Sequence, residues 1–280
     1  MRAELDFLKV EGLGNDFVLL DRRGDAGWAV ELAELQALAP LLCDRRRGVG
    51  ADGILVVAPG DAEAAARMIV VNYDGSRPEM CGNGLRCVAL HLAATGAGHA
   101  FTVATDAGPR GCTVDALAAD GRSGMVCVDM GAAVDLGARS PESGGGHVFR
   151  AMSMGNPHAV AFVDGGAEPE ALARVIGPRV EVDDDFPGRT NVEFARVEAD
   201  GSITLWVWER GCGITDACGT GACATVAAAV LSGKAAPGAW VPVHLPGGTL
   251  EVLAAGSADE AVVMRGPARV VFVGSWWSAT

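Results

Sequence analysis

Apolar residues in this chain fall mainly into short blocks cut by Gly, Asn, Asp and Pro, and only a few stretches carry them at helical spacing. Residues 5–11 and 17–21 read as strands, and Gly12-Leu13-Gly14-Asn15-Asp16 reads as the turn between them. In such a turn Gly permits the bend, and Asn and Asp bond back to the local backbone. Residues 30–43 carry a helical pattern, and 54–57 and 67–73 are strand-like. Half-alternating runs over 99–130 predict antiparallel strands. The stretch 139–146, with Pro141 and three successive Gly, predicts a loop. Beyond it, strands are expected at 148–154, 159–163, 203–208, 241–245, 249–253, 261–264 and 268–273, with another opening at 189–194. A helix is expected over 168–176, and Gly155-Asn156-Pro157-His158 reads as a turn. Many strands and few helices predict an α+β fold rather than a doubly wound sheet.

Two stretches stand out because they read almost alike. Cys81-Gly82-Asn83-Gly84 and Cys218-Gly219-Thr220-Gly221 each lead into an Ala-rich apolar segment without Pro, closed at the same offset by Gly96 and Gly233. They lie 137 residues apart, close to half the chain. The same offset places Glu209 opposite Asn72, each a polar residue at a strand end nine positions before its Cys. The pattern reads as an old duplication. Each half offers a helix N-terminus to a shared cleft.

Composition narrows the chemistry. A chain of 280 residues, half of them hydrophobic, is long enough for two domains with cores. A net charge of −13 argues against a nucleic-acid partner, whose phosphates it would repel. No long uncharged apolar run predicts a membrane span, and the opening residues carry acids rather than a signal peptide, so a cytoplasmic location is expected. Eight Cys occur without a CxxC or zinc spacing, which for most of them points to buried thiols. Gly48-Val49-Gly50-Ala51-Asp52-Gly53 matches GxGxxG, but a strand follows it where a nucleotide site needs a helix. Arg45-Arg46-Arg47 reads as a solvated face.

A Cys at a helix N-terminus meets unpaired N–H groups and the positive end of the helix dipole, both of which favour thiolate. Those N–H groups can also hold a carboxylate, and the neighbouring Gly residues let it approach. Two such Cys on one carbon form an acid/base pair. One, as thiolate, removes a proton. The other, as thiol, returns one to the opposite face and inverts the centre without a cofactor. Like-charge repulsion keeps them from both being thiolates. A pyridoxal cofactor would need a Lys, and the only two, Lys9 and Lys234, lie in no cofactor-like motif. His158 is either a surface-turn residue or a group that orients a thiol. Arg210, beside Glu209, is either a clamp for a distant carboxylate or part of a structural ion pair.

Taken together, GLGNDF (12–17), GVGADG (48–53), NYDGS (72–76), MCGNGLRC (80–87), GNPHAV (155–160), RTNVEF (189–194), WERGCG (208–213) and TDACGTGA (215–222) resemble the diaminopimelate epimerases, in family order and from end to end. The resemblance implies two pseudo-symmetric mixed α/β domains, each a largely antiparallel sheet wrapped around a central helix. Lobe boundaries are expected at 1–126 plus 269–280 and at 127–268. It implies a homodimeric cytoplasmic enzyme without a cofactor, interconverting LL- and meso-diaminopimelate on the route to lysine and peptidoglycan. The catalytic pair would be Cys81 and Cys218, tuned by His158 and Glu209. Substrate would be held by Asn15, Asn72, Gly82, Asn83, Asn156, Asn191, Glu209, Arg210, Gly219 and Thr220. One departure is visible: Ile214 stands where the family has Glu before the Thr. Asp216 is the nearby carboxylate that could partly substitute.

Two other readings remain open on the sequence. The same scaffold could racemise another amino acid, of the histidine or hydroxyproline type. Alternatively, the two thiols could form a redox-responsive disulfide module without catalysis.

Overall fold

The computed structural model describes residues 4–24, 32–164, 166–257 and 260–277. The chain divides into two units, Met1–Val128 with Gly266–Thr280, and Asp129–Arg265. The architecture is α+β, with many strands and few helices.

The first unit starts with β1 (Glu4–Gly12) and β2 (Asn15–Asp21), joined by a two-residue turn in which both Leu13 (φ 56°) and Gly14 (φ 81°) take the left-handed conformation. That is the turn type whose twist matches a hairpin. Helix α1 (Leu32–Leu42) connects β2 to β3 (Gly53–Pro59), and β2 and β3 pair in parallel. Of the expected 30–43 helix, positions 30 and 31 lie outside the described residues. β4 (Ala66–Asn72) returns antiparallel to β3. Helix α2 (Gly82–Ala94) then crosses to β5 (Ala100–Thr105), which pairs in parallel with β4 and antiparallel with β6 (Gly108–Leu117). β7 (Ser123–Ala132) closes the run.

The second unit repeats this pattern. β8 (Val134–Arg139), β9 (Phe149–Ser153) and β10 (Pro157–Phe162) pair antiparallel. Helices α3 (Pro169–Val175) and α4 (Gly177–Val180) cross to β11 (Asn191–Val197), parallel to β10. β12 (Ile203–Glu209) returns antiparallel and carries the short β13 (Gly213–Ile214). Helix α5 (Gly219–Leu231) crosses to β14 (Trp240–Leu245), parallel to β12, followed by β15 (Gly248–Leu253). β16 (Ala261–Trp277) pairs with β15 through its first part and with β1 through its last. The duplication inferred from the two Cys turns is thus a duplication of strand pairing and crossover.

Each unit's sheet is covered on both faces. In the first, Leu35, Ala39 and Leu42 of α1 pack on Val18, Leu20, Ile54, Val56 and Val71. The opposite face receives α2, on which every residue from Gly82 to Leu92 is buried. In the second, α3 and α4 pack on Ala159, Ala161, Val192 and Phe194, and α5 takes the other side. A helix apolar on all sides is a helix surrounded by protein, which accounts for the Ala-rich composition of α2 and α5. Burying a Leu or Val side chain contributes about 1.5–3 kcal/mol. Among the described residues no helix is long and apolar enough to cross a membrane.

Candidate active site

Both cysteines cap their helices in the same way. Cys81 (φ −137°, ψ 112°) and Cys218 (φ −112°, ψ 101°) are extended residues ahead of α2 and α5. Each Sγ accepts the N–H three residues on, from Gly84 or Gly221, at 3.4 Å. This is the geometry of an oxygen N-cap with sulfur in its place. None of the eight cysteines is in a disulfide.

In the first unit Cys81 is half-buried, with Asn15 Oδ1 3.9 Å from its Sγ. Asn83 Nδ2 donates to the same Oδ1 at 3.2 Å, and Asn15 Nδ2 donates to Asp52 Oδ2 at 2.7 Å. The fully buried Arg86, one turn along α2 from Asn83, donates to Asn83 Oδ1 at 3.0 Å and to Pro267 O at 3.2 Å. The local-turn role expected of Asn15 and Asp16 gives way to long-range bonding. Asp16 is tied to Lys9 and Arg45, and Arg45 also reaches Asp52. Burial works against ionisation of Asp16, but Arg45 and Lys9 hold its carboxyl below the ordinary range. Of the arginine run read as a solvated face, Arg45 is exposed yet acts as this bridge. Asn72, at the end of β4, donates to Ser76 Oγ at 2.9 Å.

The second unit gathers more of the expected residues. Cys218 is buried, with Thr220 Oγ1 3.6 Å from its sulfur. Thr220 also receives Asn156 Nδ2 at 3.3 Å. Asn156 Oδ1 faces His158 Nε2 at 3.0 Å. His158 is no surface-turn residue. It lies one position into β10 and is buried, because two-sided coverage of the sheet leaves that strand no solvent face. Its Nδ1 meets Glu193 Oε1 at 2.6 Å.

Glu209 ends β12 and accepts the Thr215 hydroxyl. Burial pushes its carboxyl up, against the pull of Thr215 and of His158. Ile214 packs against the core beneath α3 rather than facing solvent, and Thr215 supplies Glu209 with its hydrogen bond. Asp216 is exposed and takes no part in this contact through its side chain; its carbonyl accepts the Gly247 N–H. Asn191 holds the next corner: its Oδ1 accepts the Arg210 N–H and its Nδ2 donates to Pro157 O, both at 2.9 Å. Glu181 braces the same corner, taking Trp208 Nε1 and Gly211 N–H, each at 2.7 Å. The Arg210 guanidinium is exposed and bonds the Gly188 carbonyl at 3.1 Å, with no carboxylate paired to it among the described residues.

Charge around Cys218 differs from the sequence expectation of a helix cap that favours thiolate. Burial, with the carboxylates of Glu209 and Glu193, pushes this thiol well above its ordinary value, and Thr220 and the Gly221 N–H only partly oppose them. These surroundings favour the thiol form of Cys218. The residue the motif reading passed over is Glu193. It sits inside an apolar run and has no sequence neighbour to announce it. The signal was available in the other half, where the corresponding strand GILVVAP is apolar throughout.

The chain matches the family model described as Diaminopimelate epimerase over residues 7–136 and 150–271. It is 40% identical to the diaminopimelate epimerase of Microcystis aeruginosa, covering 97% of this chain and 98% of that one. It is 43% identical to that of Desulfitobacterium hafniense, covering 96% and 97%. Among solved structures it is similar in fold to a hydroxyproline epimerase from Agrobacterium vitis with bound trans-4-hydroxy-L-proline (TM-score 0.71, 19% identity, 100% and 95% of the two chains). A phenazine biosynthesis protein from Bacillus anthracis is similarly alike in fold (TM-score 0.72, 15% identity, 98% and 99%).

Proposed function

The chain belongs to the diaminopimelate epimerase family, and on that premise we propose that it interconverts LL- and meso-2,6-diaminopimelate through two thiols, Cys81 and Cys218, without a cofactor. The observation that carries this reading is the twice-repeated cap, a sulfur on the first-turn amide of a buried helix in each unit.

A thiolate removes the α-proton. Negative charge then builds on the substrate carboxylate, and first-turn N–H groups of the helices, from Gly82 and Asn83 or from Gly219 and Thr220, are suited to absorb it. The other thiol delivers a proton to the opposite face. Cys218, kept protonated by burial and by two carboxylates, enters as the acid in one direction. In the other direction Glu209 takes its proton. His158 orients the thiol site through Asn156 and Thr220. Asn15 and Asn83 do the same beside Cys81, and Asn72 and Asn191 complete the polar lining. Arg210 clamps the far carboxylate of the substrate bidentately, with Glu209 available to the far ammonium.

We also propose that the enzyme is a cytoplasmic homodimer. The exposed apolar residues Val271, Phe272, Val273 and Trp277 along β16 support self-association. Trp276, by contrast, packs on the first unit's core. Sedimentation across a concentration series tests this, and a monomer throughout removes it.

The functional test is exchange of α-hydrogen in D2O with LL-diaminopimelate. Cys81→Ser and Cys218→Ser are each expected to lose turnover by at least about a thousandfold, the scale of acid–base catalysis. Full activity in either variant sinks the two-thiol scheme. Faster exchange with histidine or trans-4-hydroxyproline moves the substrate assignment elsewhere on the scaffold.

A further inference from the structure

We propose that Glu193 is a positioning residue of the second unit's thiol site, holding His158 by Nδ1 so that Nε2–H is turned toward Asn156. The proposal rests on the role of His158 given above.

The geometry forms a chain. Glu193 and His158 have fully buried side chains. Glu193 Oε1 meets His158 Nδ1 at 2.6 Å, and Oε2 accepts the Ala159 N–H at 3.1 Å. Both carboxylate oxygens and both ring nitrogens are therefore engaged. Asn156 Nδ2 points to the Thr220 hydroxyl, which leaves its Oδ1 facing His158 Nε2. An acceptor oxygen there requires hydrogen on Nε2. One further proton lies between Nδ1 and Oε1, and with it the pair carries no net charge. The path runs from Glu193 through His158, Asn156 and Thr220 to within 3.6 Å of the Cys218 sulfur.

Packing does not call for a carboxylate here. In the first unit the register of β3 on β4 puts Leu55 at this place, and its Cδ2 would lie 2.7 Å from a methyl added at Gly84. The equivalent methyl at Gly221 would meet Glu193 Oε1 at 3.0 Å and Cys218 Sγ at 3.1 Å. The two halves share a fold and a cap, and at this buried position one has Leu and the other Glu. A buried ion pair contributes little stability that well-packed apolar side chains could not match.

The other titratable groups facing the pair are Glu209 from β12 and Cys218 from the α5 cap. β9 places Met152 opposite His158, and α5 carries no charged side chain.

The test uses Glu193→Gln and Glu193→Leu in the full chain, with 15N-detected ring spectra of the free protein assigned against His158→Gln. In wild type the His158 ring shows Nε2–H and an Nδ1 hydrogen-bonded to the Glu193 carboxyl. In Glu193→Gln the Nδ1 signal moves away from its carboxyl-bonded position while Nε2–H is retained. In Glu193→Leu, kcat falls by about tenfold or more while KM changes by less than about threefold. Unchanged ring spectra in Glu193→Gln overturn the proposal. So does a loss of kcat in Glu193→Leu fully accounted for by loss of folded protein. A wild type inactive on diaminopimelate would count against the function proposed above, whereas the ring spectra decide the role of Glu193 by themselves.

Discussion

Thr215 donates its hydroxyl to Oε1 of Glu209 six residues back, across the tight β12–β13 hairpin. The bond holds the carboxylate that raises the Cys218 thiol, and it forms although the residue beside Thr215 is Ile214, which carries no polar group. Removing it by Thr215→Val leaves a buried oxygen without this donor, at a cost of about 1–3 kcal/mol. Because Thr215 lowers the Glu209 pKa, its loss moves that pKa further up. The acid limb of the pH–rate profile, where Glu209 must be ionised, should shift to higher pH. An unmoved limb would show that this limb is not set by Glu209.

The capping glycines separate packing from chemistry. Gly221→Ala gains up to about 1 kcal/mol of helix propensity. Its new methyl lands against both Glu193 Oε1 and Cys218 Sγ. Helix content should be retained and turnover should drop by about tenfold or more. Gly233 lies past the end of α5 at φ 68° with open space around it, so Gly233→Ala should cost about 1 kcal/mol of stability and leave the rate unchanged. Circular dichroism and exchange rates on the pair decide the matter, and full activity in Gly221→Ala removes the close-approach argument.

Alkaline stability follows from the buried thiols. Cys218 keeps its proton above the ordinary 9.0, and burial holds Cys43 and Cys87 up to about 11 and about 12. The unfolded chain releases these protons near 9.0. Above that pH the native state binds more protons than the unfolded one, so stability falls as pH rises. Cys218→Ser removes one of the three contributions. Its denaturation midpoint should therefore fall less than that of wild type on going from about pH 8 to about pH 10. Equal falls would mean that the Cys218 thiol is not raised.

Asn191 binds main chain on both sides, so its side chain sets where Arg210 begins. Asn191→Ala should cost about 1–3 kcal/mol, because the Pro157 carbonyl and the Arg210 N–H lose their partner. If Arg210 clamps the far end of the substrate, KM should rise more than kcat falls. A loss confined to kcat would place Asn191 at the reacting carbon instead.

The repeated Cys-Gly-x-Gly turn, the Ala-rich stretches after it and the equal spacing were enough to identify two helix caps and a duplicated α+β plan, because capping and periodicity are local properties that neighbouring residues encode; the family came from the resemblance of eight short segments taken together. Partners across strands were not legible. Asn15 and Asp16 looked like turn formers, yet they bond to Asp52, Arg45 and Lys9. His158 sat in a turn-like tetrapeptide, yet it is buried opposite Glu193, 35 residues on. Which charges stay hidden, and whether a capped sulfur rests as thiol or thiolate, depends on what the folded sheet brings against it from distant parts of the chain. For Cys218 burial and two carboxylates outweigh the helix end that the local sequence provides.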